Sequence, residues 1–208
     1  MNTSIEKSKE TTLPIMEQFY TVQGEGMHQG TAAYFIRLGG CDVGCIWCDV
    51  KDSWDASVHP QKTVKEIVAD AKKHPSKIVV ITGGEPLMYD LTELCQALHD
   101  SGFKTHIETS AAYEMSGAWE WICVSPKKFK APKPEALKQA HELKVIVYNK
   151  ADLNWATAFE SKVNKQCALY LQPEWDKMEV MMPLIIEFVK ANPHWKISLQ
   201  CHKFMNIP

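Results

Sequence analysis

The chain has 208 residues, of which 45% are hydrophobic, and its formal net charge at pH 7 is only −2. This length is enough for one domain with a sizeable core. The near-neutral charge argues against a general binder of nucleic acids or membrane surfaces, because such proteins usually have a basic patch.

The ends of the chain and its longest apolar runs restrict its location. No run approaches the roughly 20 apolar residues of a membrane-spanning helix. The N-terminus is polar and lacks the apolar centre of a signal peptide. We therefore expect a cytoplasmic protein with a flexible leader at residues 1–13 and a single domain at residues 14–208.

Short apolar runs alternate with amphipathic helical patterns along the chain. In chain order the patterns predict a helix opened by a capping box of Thr63 and Glu66, a strand at 77–82, a helix capped by Asp90, strands at 104–109, 121–125 and 143–147, a helix over 151–163, a strand at 167–172, a helix opened by Asp176 and Glu179, and a strand at 196–200.

This alternation predicts an α/β fold with a parallel sheet and helical crossovers. A complete eight-fold barrel needs roughly 250 residues, so a partial, open TIM-type barrel fits the length better. Ligands of such sheets bind at the carboxyl ends of the strands. The segments TGGEP, ETS, SPK and LQPEW follow predicted strands and are the first candidates for a site.

Three of the seven cysteines are crowded together as Cys41, Cys45 and Cys48, with the spacing C-x3-C-x2-C and glycines between and before them. A structural zinc site wants four ligands, and no fourth Cys or His has a suitable local spacing. Three thiolates instead leave one iron of a [4Fe–4S] cluster open for another ligand. We favour the cluster, with zinc and coincidence as alternatives.

The other four cysteines lie scattered in apolar stretches and have no partners at regular spacing. They are most simply buried small hydrophobic residues, because an odd total count without a secretion signal speaks against a disulfide framework. These four residues are Cys95, Cys123, Cys167 and Cys201.

The cysteine spacing, with Trp47 directly before the last cysteine, resembles the radical S-adenosylmethionine (SAM) superfamily. The resemblance implies that SAM binds the open iron and is cleaved to a 5′-deoxyadenosyl radical, on a partial barrel. The motif TGGEPL at 82–87 is similar to the superfamily's GGEP motif, which contacts the methionine amino group. Taken alone, GGEP could be merely a tight turn.

Further motifs resemble those of the 7-carboxy-7-deazaguanine synthase family over nearly the whole chain. They are FYTVQGEG at 19–26, YFIRLGGC at 34–41, CDVKDSWD at 48–55, HIETS at 106–110, SPK at 125–127, LQP at 171–173 and the ending QCHKFMNIP. The resemblance implies conversion of 6-carboxy-5,6,7,8-tetrahydropterin to 7-carboxy-7-deazaguanine with loss of ammonia. This reaction belongs to the biosynthesis of queuosine and other deazapurines.

The resemblance also implies two sets of binding residues. The substrate would be surrounded by Val22, Gln23, Gly24, Glu25, Arg37, Thr82, Glu108, His202 and the terminal Pro208. SAM would be bound by Gly84, Ser125, Pro126, Lys127, Gln172, Pro173, Glu174 and Trp175. Arg37 is the natural bidentate partner of the substrate carboxylate, although an arginine in a strand can also simply face solvent.

One position departs from the family. The usual sequence after the third cysteine is Cys-Asp-Thr, and the threonine hydroxyl helps to hold a magnesium ion. Here Val50 replaces the threonine, and valine cannot ligate a metal. Water could take its place, Asp49 or Asp52 could supply an oxygen, or the magnesium dependence could be lost. We favour water, because magnesium readily keeps several waters.

The resemblance further implies an electron donor such as flavodoxin and a homodimer. Two other functions compete with the synthase. A radical-generating activase would share the cysteine motif but would need a groove for a protein partner. A non-enzymatic iron–sulfur electron carrier would have no need of GGEP, SPK and LQP at successive strand ends.

Overall fold

The structure is a computed structural model that describes residues 10–208. It contains nine strands, β1 Thr12–Val22, β2 Ala32–Leu38, β3 Gln61–Thr63, β4 Ile78–Gly83, β5 Lys104–Thr109, β6 Trp121–Val124, β7 Glu142–Val147, β8 Ala168–Pro173 and β9 Trp195–Ile197. Its α-helices are α1 Val64–Ala71, α2 Thr92–Asp100, α3 Pro134–Gln139, α4 Ala151–Thr157, α5 Met178–Ala191 and α6 Cys201–Met205.

All nine strands form one sheet with the order β3-β1-β2-β4-β5-β6-β7-β8-β9. The first three strands pair antiparallel, and every pairing from β2 through β9 is parallel. The two edges, β3 and β9, do not pair with each other, so the sheet stays open. The predicted α/β fold with an open barrel is therefore confirmed.

Alternate residues of the parallel strands face opposite sides, as the period of a strand requires. In β4, Val79 and Ile81 pack in the large apolar core that includes the helices, whereas Val80 packs with Phe35 and Ala33 in a smaller cluster. Buried apolar residues of every later parallel strand continue this large core. The polar residues on the inner face of these strands do not belong to it. The inner face thus remains available for a site.

Several boundaries differ from those predicted. Residues 1–9 of the predicted leader lie outside the described part of the chain, and β1 already includes Thr12 and Leu13, so the domain begins before residue 14. Helix α4 ends at Thr157 instead of residue 163, because the following residues form successive tight turns around the buried Phe159.

The capping box of Thr63 and Glu66 is present at the start of α1. Asp90 accepts a hydrogen bond from the Thr92 amide at 3.0 Å and so stabilises the start of α2. The last predicted strand is shorter, since β9 ends at Ile197, although the Ser198 amide still donates to Leu171. Within residues 10–208, no helix is long and apolar enough to cross a membrane.

Candidate active site

One large cavity opens at the carboxyl ends of the parallel strands. It comprises about 1470 Å³ of space between protein atoms, part of it continuous with solvent. Its lining includes all three clustered cysteines and most of the predicted binding residues.

The cysteine loop follows β2 and is held by backbone hydrogen bonds to the next turn. The Gly40 amide donates to Ser53 at 2.6 Å, and the Cys41 amide donates to Trp54 at 3.1 Å. Gly40 has a φ of +101°, a conformation that favours glycine. Cys45 and Cys48 are joined through a 3.1 Å hydrogen bond between their backbones. The three thiols thus come from one tightly folded loop.

All seven cysteines are free thiols. Burial raises the pKa of Cys45 to about 11 and also raises the pKa of Cys41. Thiols must lose their protons when they bind a metal, so iron binding at this loop would release protons. Among residues 10–208, no three Cys, His, Asp or Glu side chains converge as ligands of a single metal ion.

The TGGEP turn after β4 packs directly against the cysteine loop. The Gly84 amide donates to Leu38 at 3.0 Å, and the Glu85 amide donates to Gly40 at 2.9 Å. A Cβ atom at Gly84 would lie only 2.3 Å from the Gly40 oxygen and 2.7 Å from the Cβ atom of Cys41. Only glycine fits between these backbone segments, so the turn fixes the position of the cysteine loop relative to the end of β4.

The Glu85 side chain belongs to the framework of the cavity. It is buried and accepts hydrogen bonds from the Leu87 amide at 3.0 Å, the Thr109 hydroxyl at 2.5 Å and the Ser110 amide at 2.8 Å. Its carboxylate joins the turn after β4 to the end of β5. Sequence analysis did not single out Glu85, and its place in GGEP was the available signal.

Acidic and amide side chains form one wall of the cavity. Gln23 donates to Glu108 at 2.8 Å and accepts from the Glu25 amide at 3.1 Å. Lys144, which lies in β7 and was not predicted, donates to Glu25 at 2.5 Å and to Glu108 at 3.3 Å. These four side chains from three segments form a connected hydrogen-bonded group.

Arg37 lies beside this wall, in register with Thr82 on the neighbouring strand. Its Nε atom donates to Glu17 at 2.5 Å, and its guanidinium lies 5.9 Å from the centre of the Phe19 ring. The ion pair and the ring fix the plane of the guanidinium. Since only Nε is used in the hydrogen bond to Glu17, the terminal nitrogens remain available to a carboxylate.

The opposite wall contains most of the residues predicted for SAM. Lys127 donates to the Ser125 hydroxyl at 2.6 Å and lies 5.6 Å from the centre of the Trp47 ring. Burial lowers the pKa of Lys127. Within the described residues, the buried Oε2 atom of Glu174 has no hydrogen-bond partner. It is an acceptor that a ribose hydroxyl or an amino group of a ligand could satisfy.

The C-terminal segment closes the substrate side. The Cys201 amide donates to the Gly24 carbonyl at 2.9 Å, and a Cβ atom at Gly24 would lie 2.4 Å from Nδ1 of His202. Burial lowers the pKa of His202. Pro208, the last residue, lines the cavity. The segment therefore reaches back to the QGEG loop after β1.

Two residues that directly follow the last cysteine, Asp49 and Val50, lie at the cavity. Asp49 lines the cavity and accepts hydrogen bonds from Gln200 at 3.2 Å and Lys203 at 3.1 Å. Burial opposes its ionisation, but Lys203 and Gln200 outweigh burial and lower the pKa of Asp49. Val50 also lines the cavity.

Two of the predicted positions are not brought to the cavity. All predicted site residues lie within residues 10–208, and of these only Pro126 and Asp52 do not contribute to the lining. Pro126 is buried, and Asp52 is exposed to solvent. The other predicted residues meet at one cavity, while their individual roles stay predictions.

Comparison with known proteins agrees with this geometry. The model of the Radical SAM superfamily matches residues 35–124, which include the cysteine loop and the GGEP turn. The crystal structure of QueE from Escherichia coli superposes with a TM-score of 0.81 at 32% identity, covering 92% of this chain and 95% of the other. Fold and site together define a radical SAM enzyme.

Relatives with assigned activities define the family more narrowly. The 7-carboxy-7-deazaguanine synthase of Flavobacterium psychrophilum is 57% identical over 196 residues, covering 94% of this chain and 93% of the relative. That of Synechocystis is 45% identical, with 93% of each chain covered. The chain belongs to the 7-carboxy-7-deazaguanine synthase family. None of these relatives supports the activase or the electron carrier.

Proposed function

We propose that this chain converts 6-carboxy-5,6,7,8-tetrahydropterin to 7-carboxy-7-deazaguanine, with loss of ammonia, in the biosynthesis of queuosine and other deazapurines. The observation that supports this most is that the cysteine loop and the QGEG loop line the same cavity. A cluster-bound cofactor and a second ligand bound by Gln23 and Glu25 would therefore be in contact.

The residues of the cysteine loop fit a [4Fe–4S] cluster with one open iron. Cys41, Cys45 and Cys48 would hold the cluster, and Gly84 would bring the GGEP backbone beside it. When bound, the cluster and SAM would supply the radical chemistry that removes a hydrogen atom from the substrate. The protein contributes by positioning the substrate C–H bond and by excluding water.

The substrate has a carboxylate at one end and a guanidine-like edge at the other. Arg37 would bind the carboxylate through its terminal nitrogens. Gln23, Glu25 and Glu108 would accept hydrogen bonds from the N–H groups of the opposite edge, because carboxylate and amide oxygens are acceptors. Val22, Gly24, Thr82, His202 and the carboxylate of Pro208 complete the proposed substrate shell.

SAM would occupy the wall formed by the ends of β6 and β8. Ser125 and Lys127 could reach ribose hydroxyls or the methionine carboxylate, and the unpaired oxygen of Glu174 could accept from a ribose hydroxyl. Trp175 offers an aromatic face to adenine. Gly84, Gln172 and Pro173 complete the lining of this side, and Pro126 would act only through the backbone of its turn.

The three positions predicted for magnesium offer few oxygen ligands to the cavity. Val50 has no side-chain oxygen, Asp49 is paired with Lys203, and Asp52 does not reach the cavity. These three positions therefore offer only one carboxylate to the cavity, that of Asp49, and Lys203 already pairs with it. We infer that water takes the position of the missing hydroxyl and that magnesium stimulates this enzyme only weakly. An external donor such as flavodoxin and a homodimeric assembly remain parts of the proposal.

The test is an anaerobic turnover assay. The protein is reconstituted with iron and sulfide, reduced, and incubated with 6-carboxy-5,6,7,8-tetrahydropterin, SAM and magnesium. We expect a product with the mass of 7-carboxy-7-deazaguanine, formed only when all components are present. An enzyme that cleaves SAM but leaves the pterin unchanged would contradict the assignment of the substrate.

A further inference from the structure

Lys144 is a lysine in the interior of the sheet. It lies in the middle of β7 and is 3% exposed. Lysine is almost never fully buried unless it is paired. Here its Nζ atom donates to Glu25 at 2.5 Å and to Glu108 at 3.3 Å. A single ammonium group thus bridges two carboxylates from distant parts of the chain.

The two carboxylates are oriented by further contacts. One oxygen of Glu108 accepts from Gln23 and the other from Lys144. The Glu25 side chain is held through Oε2 by Lys144, and its backbone amide donates to the Gln23 side chain. Each carboxylate oxygen can accept more than one hydrogen bond, so both groups can still accept from a ligand in the cavity.

We propose that Lys144 is a positioning residue that holds Glu25 and Glu108 as two ionised, fixed acceptors for the N–H groups of the pterin's guanidine-like edge. This inference rests on the proposed function, and Lys144 itself was not among the residues that the family resemblance implied. Two neighbouring carboxylates without a cation cannot easily both ionise. One would take a proton and present an O–H donor to the substrate's N–H donors.

Other titratable or charged groups lie near this pair on the neighbouring elements. They are Glu142 on the same strand, Cys123 on β6, Arg37 on β2, Lys127 after β6 and His202 in α6. Glu142 is occupied by the Met27 amide and the Trp121 indole, and burial raises the pKa of Glu142. Glu142 therefore competes only weakly with Glu25 and Glu108 for the ammonium group of Lys144.

The electrostatics of the pair agree with the geometry. Burial opposes the charge of Lys144, but Cys123, Glu108 and Glu25 outweigh burial and hold its pKa well above the ordinary value. In the neutral range this effect comes from the two carboxylates, because burial raises the pKa of Cys123 and keeps that thiol protonated. Burial likewise opposes ionisation of Glu108, and the neighbouring Lys144 with Gln23 outweighs it and lowers the pKa of Glu108. The carboxylate and the ammonium therefore keep each other charged across the neutral range.

The experiment compares the wild-type enzyme with Lys144→Met, which keeps the side-chain length and removes the charge. Both proteins are reconstituted and reduced, and KM and kcat for 6-carboxy-5,6,7,8-tetrahydropterin are measured at several pH values. Without the ammonium, one charge-assisted hydrogen bond from the pterin to a carboxylate should be lost. This loss should raise KM by about 10- to 100-fold. Cluster content and the SAM-induced change in the electron paramagnetic resonance spectrum should stay as in the wild type.

The pH dependence separates positioning from a general structural role. Without the ammonium, the pKa of Glu108 rises, so at neutral pH a proton is shared between the two carboxyls. Raising the pH removes that proton. We therefore expect kcat/KM of Lys144→Met to recover towards the wild-type value as pH rises. Lys144→Arg, which restores a cation, should have a KM between those of the wild type and Lys144→Met.

Lys62→Met is the matched control, because Lys62 pairs with Asp70 at 2.9 Å away from the cavity. Should Lys144→Met not fold, Lys144→Met/Glu25→Gln leaves one carboxylate without a like-charged neighbour. It should bind pterin weakly and show no recovery with pH. An unchanged KM in whichever variant folds, an equal loss at every pH in Lys144→Met, or recovery with pH in the double variant would overturn the inference. A wild-type enzyme that forms no product would instead overturn the proposed function.

Discussion

The contact between the GGEP turn and the cysteine loop can be tested by replacing Gly84 with alanine. The new Cβ atom would lie 2.3 Å from the Gly40 oxygen, whereas ordinary contacts begin near 3.4 Å. The two backbone segments would have to separate by roughly 1 Å, and such overpacking costs about 1–3 kcal/mol of stability. The nearest side chain affected is Cys41, whose Cβ atom lies 2.7 Å from the added carbon.

Iron binding should be more sensitive to this shift than folding. Metal–ligand distances are tolerated only within about 0.2 Å, and a 1 Å misplacement in an active site can cost about 100-fold in rate. We expect Gly84→Ala to fold with a lowered Tm, to bind less iron after anaerobic reconstitution and to lose most of its turnover.

Gly39→Ala provides the matched control for this prediction. Its Cβ atom would meet the ring of His59 at 2.3 Å, and a side chain can turn away where a backbone cannot. Iron content, Tm and turnover are measured for both variants in parallel. If Gly84→Ala retains the iron content and turnover of the wild type, the turn does not fix the position of the cysteine loop.

Three further outcomes are expected. Replacing any one of Cys41, Cys45 or Cys48 by alanine should abolish the brown iron–sulfur absorbance and all turnover; full cluster content in one variant would refute its role. Adding residues after Pro208 should raise KM about tenfold or more, because a hydrogen bond to a charged group contributes roughly 1.5–3 kcal/mol; unchanged kinetics would argue against that contact. Val50→Thr should lower the magnesium concentration for half-maximal rate in a titration after chelation, and equal midpoints would show that the hydroxyl is irrelevant.

The strands of the parallel sheet were predictable because their outer faces are apolar. Residues 104–109 match β5. The other predicted parallel strands differ from the observed ones by one to three residues at one end or at both ends. Strand β1 was missed because the apolar residues of TLPIMEQFYTV do not alternate regularly with polar ones and because Pro14 lies within the strand. Helix α3 was missed because six residues are too few to show a helical period.

The candidate site was predictable only where a motif marked it. The cysteines, GGEP and QGEG are recognisable from their residues and spacing, and they meet at the cavity. Lys144 has no such motif and lies within an apolar run, LKVIV. A signal did exist, since Glu142 and Lys144 occupy alternate positions that face the interior of the sheet. Their pairing partners come from distant segments, and hydrophobic periodicity contains no information on those contacts.

Polar contacts join separate segments of the chain on the substrate side of the cavity. The QGEG loop is joined to the C-terminal segment through the Gly24 carbonyl and the Cys201 amide. The cysteine loop is joined to the same segment through Asp49 and Lys203. One short segment therefore contacts both loops and links the proposed cluster and substrate sites of the cavity.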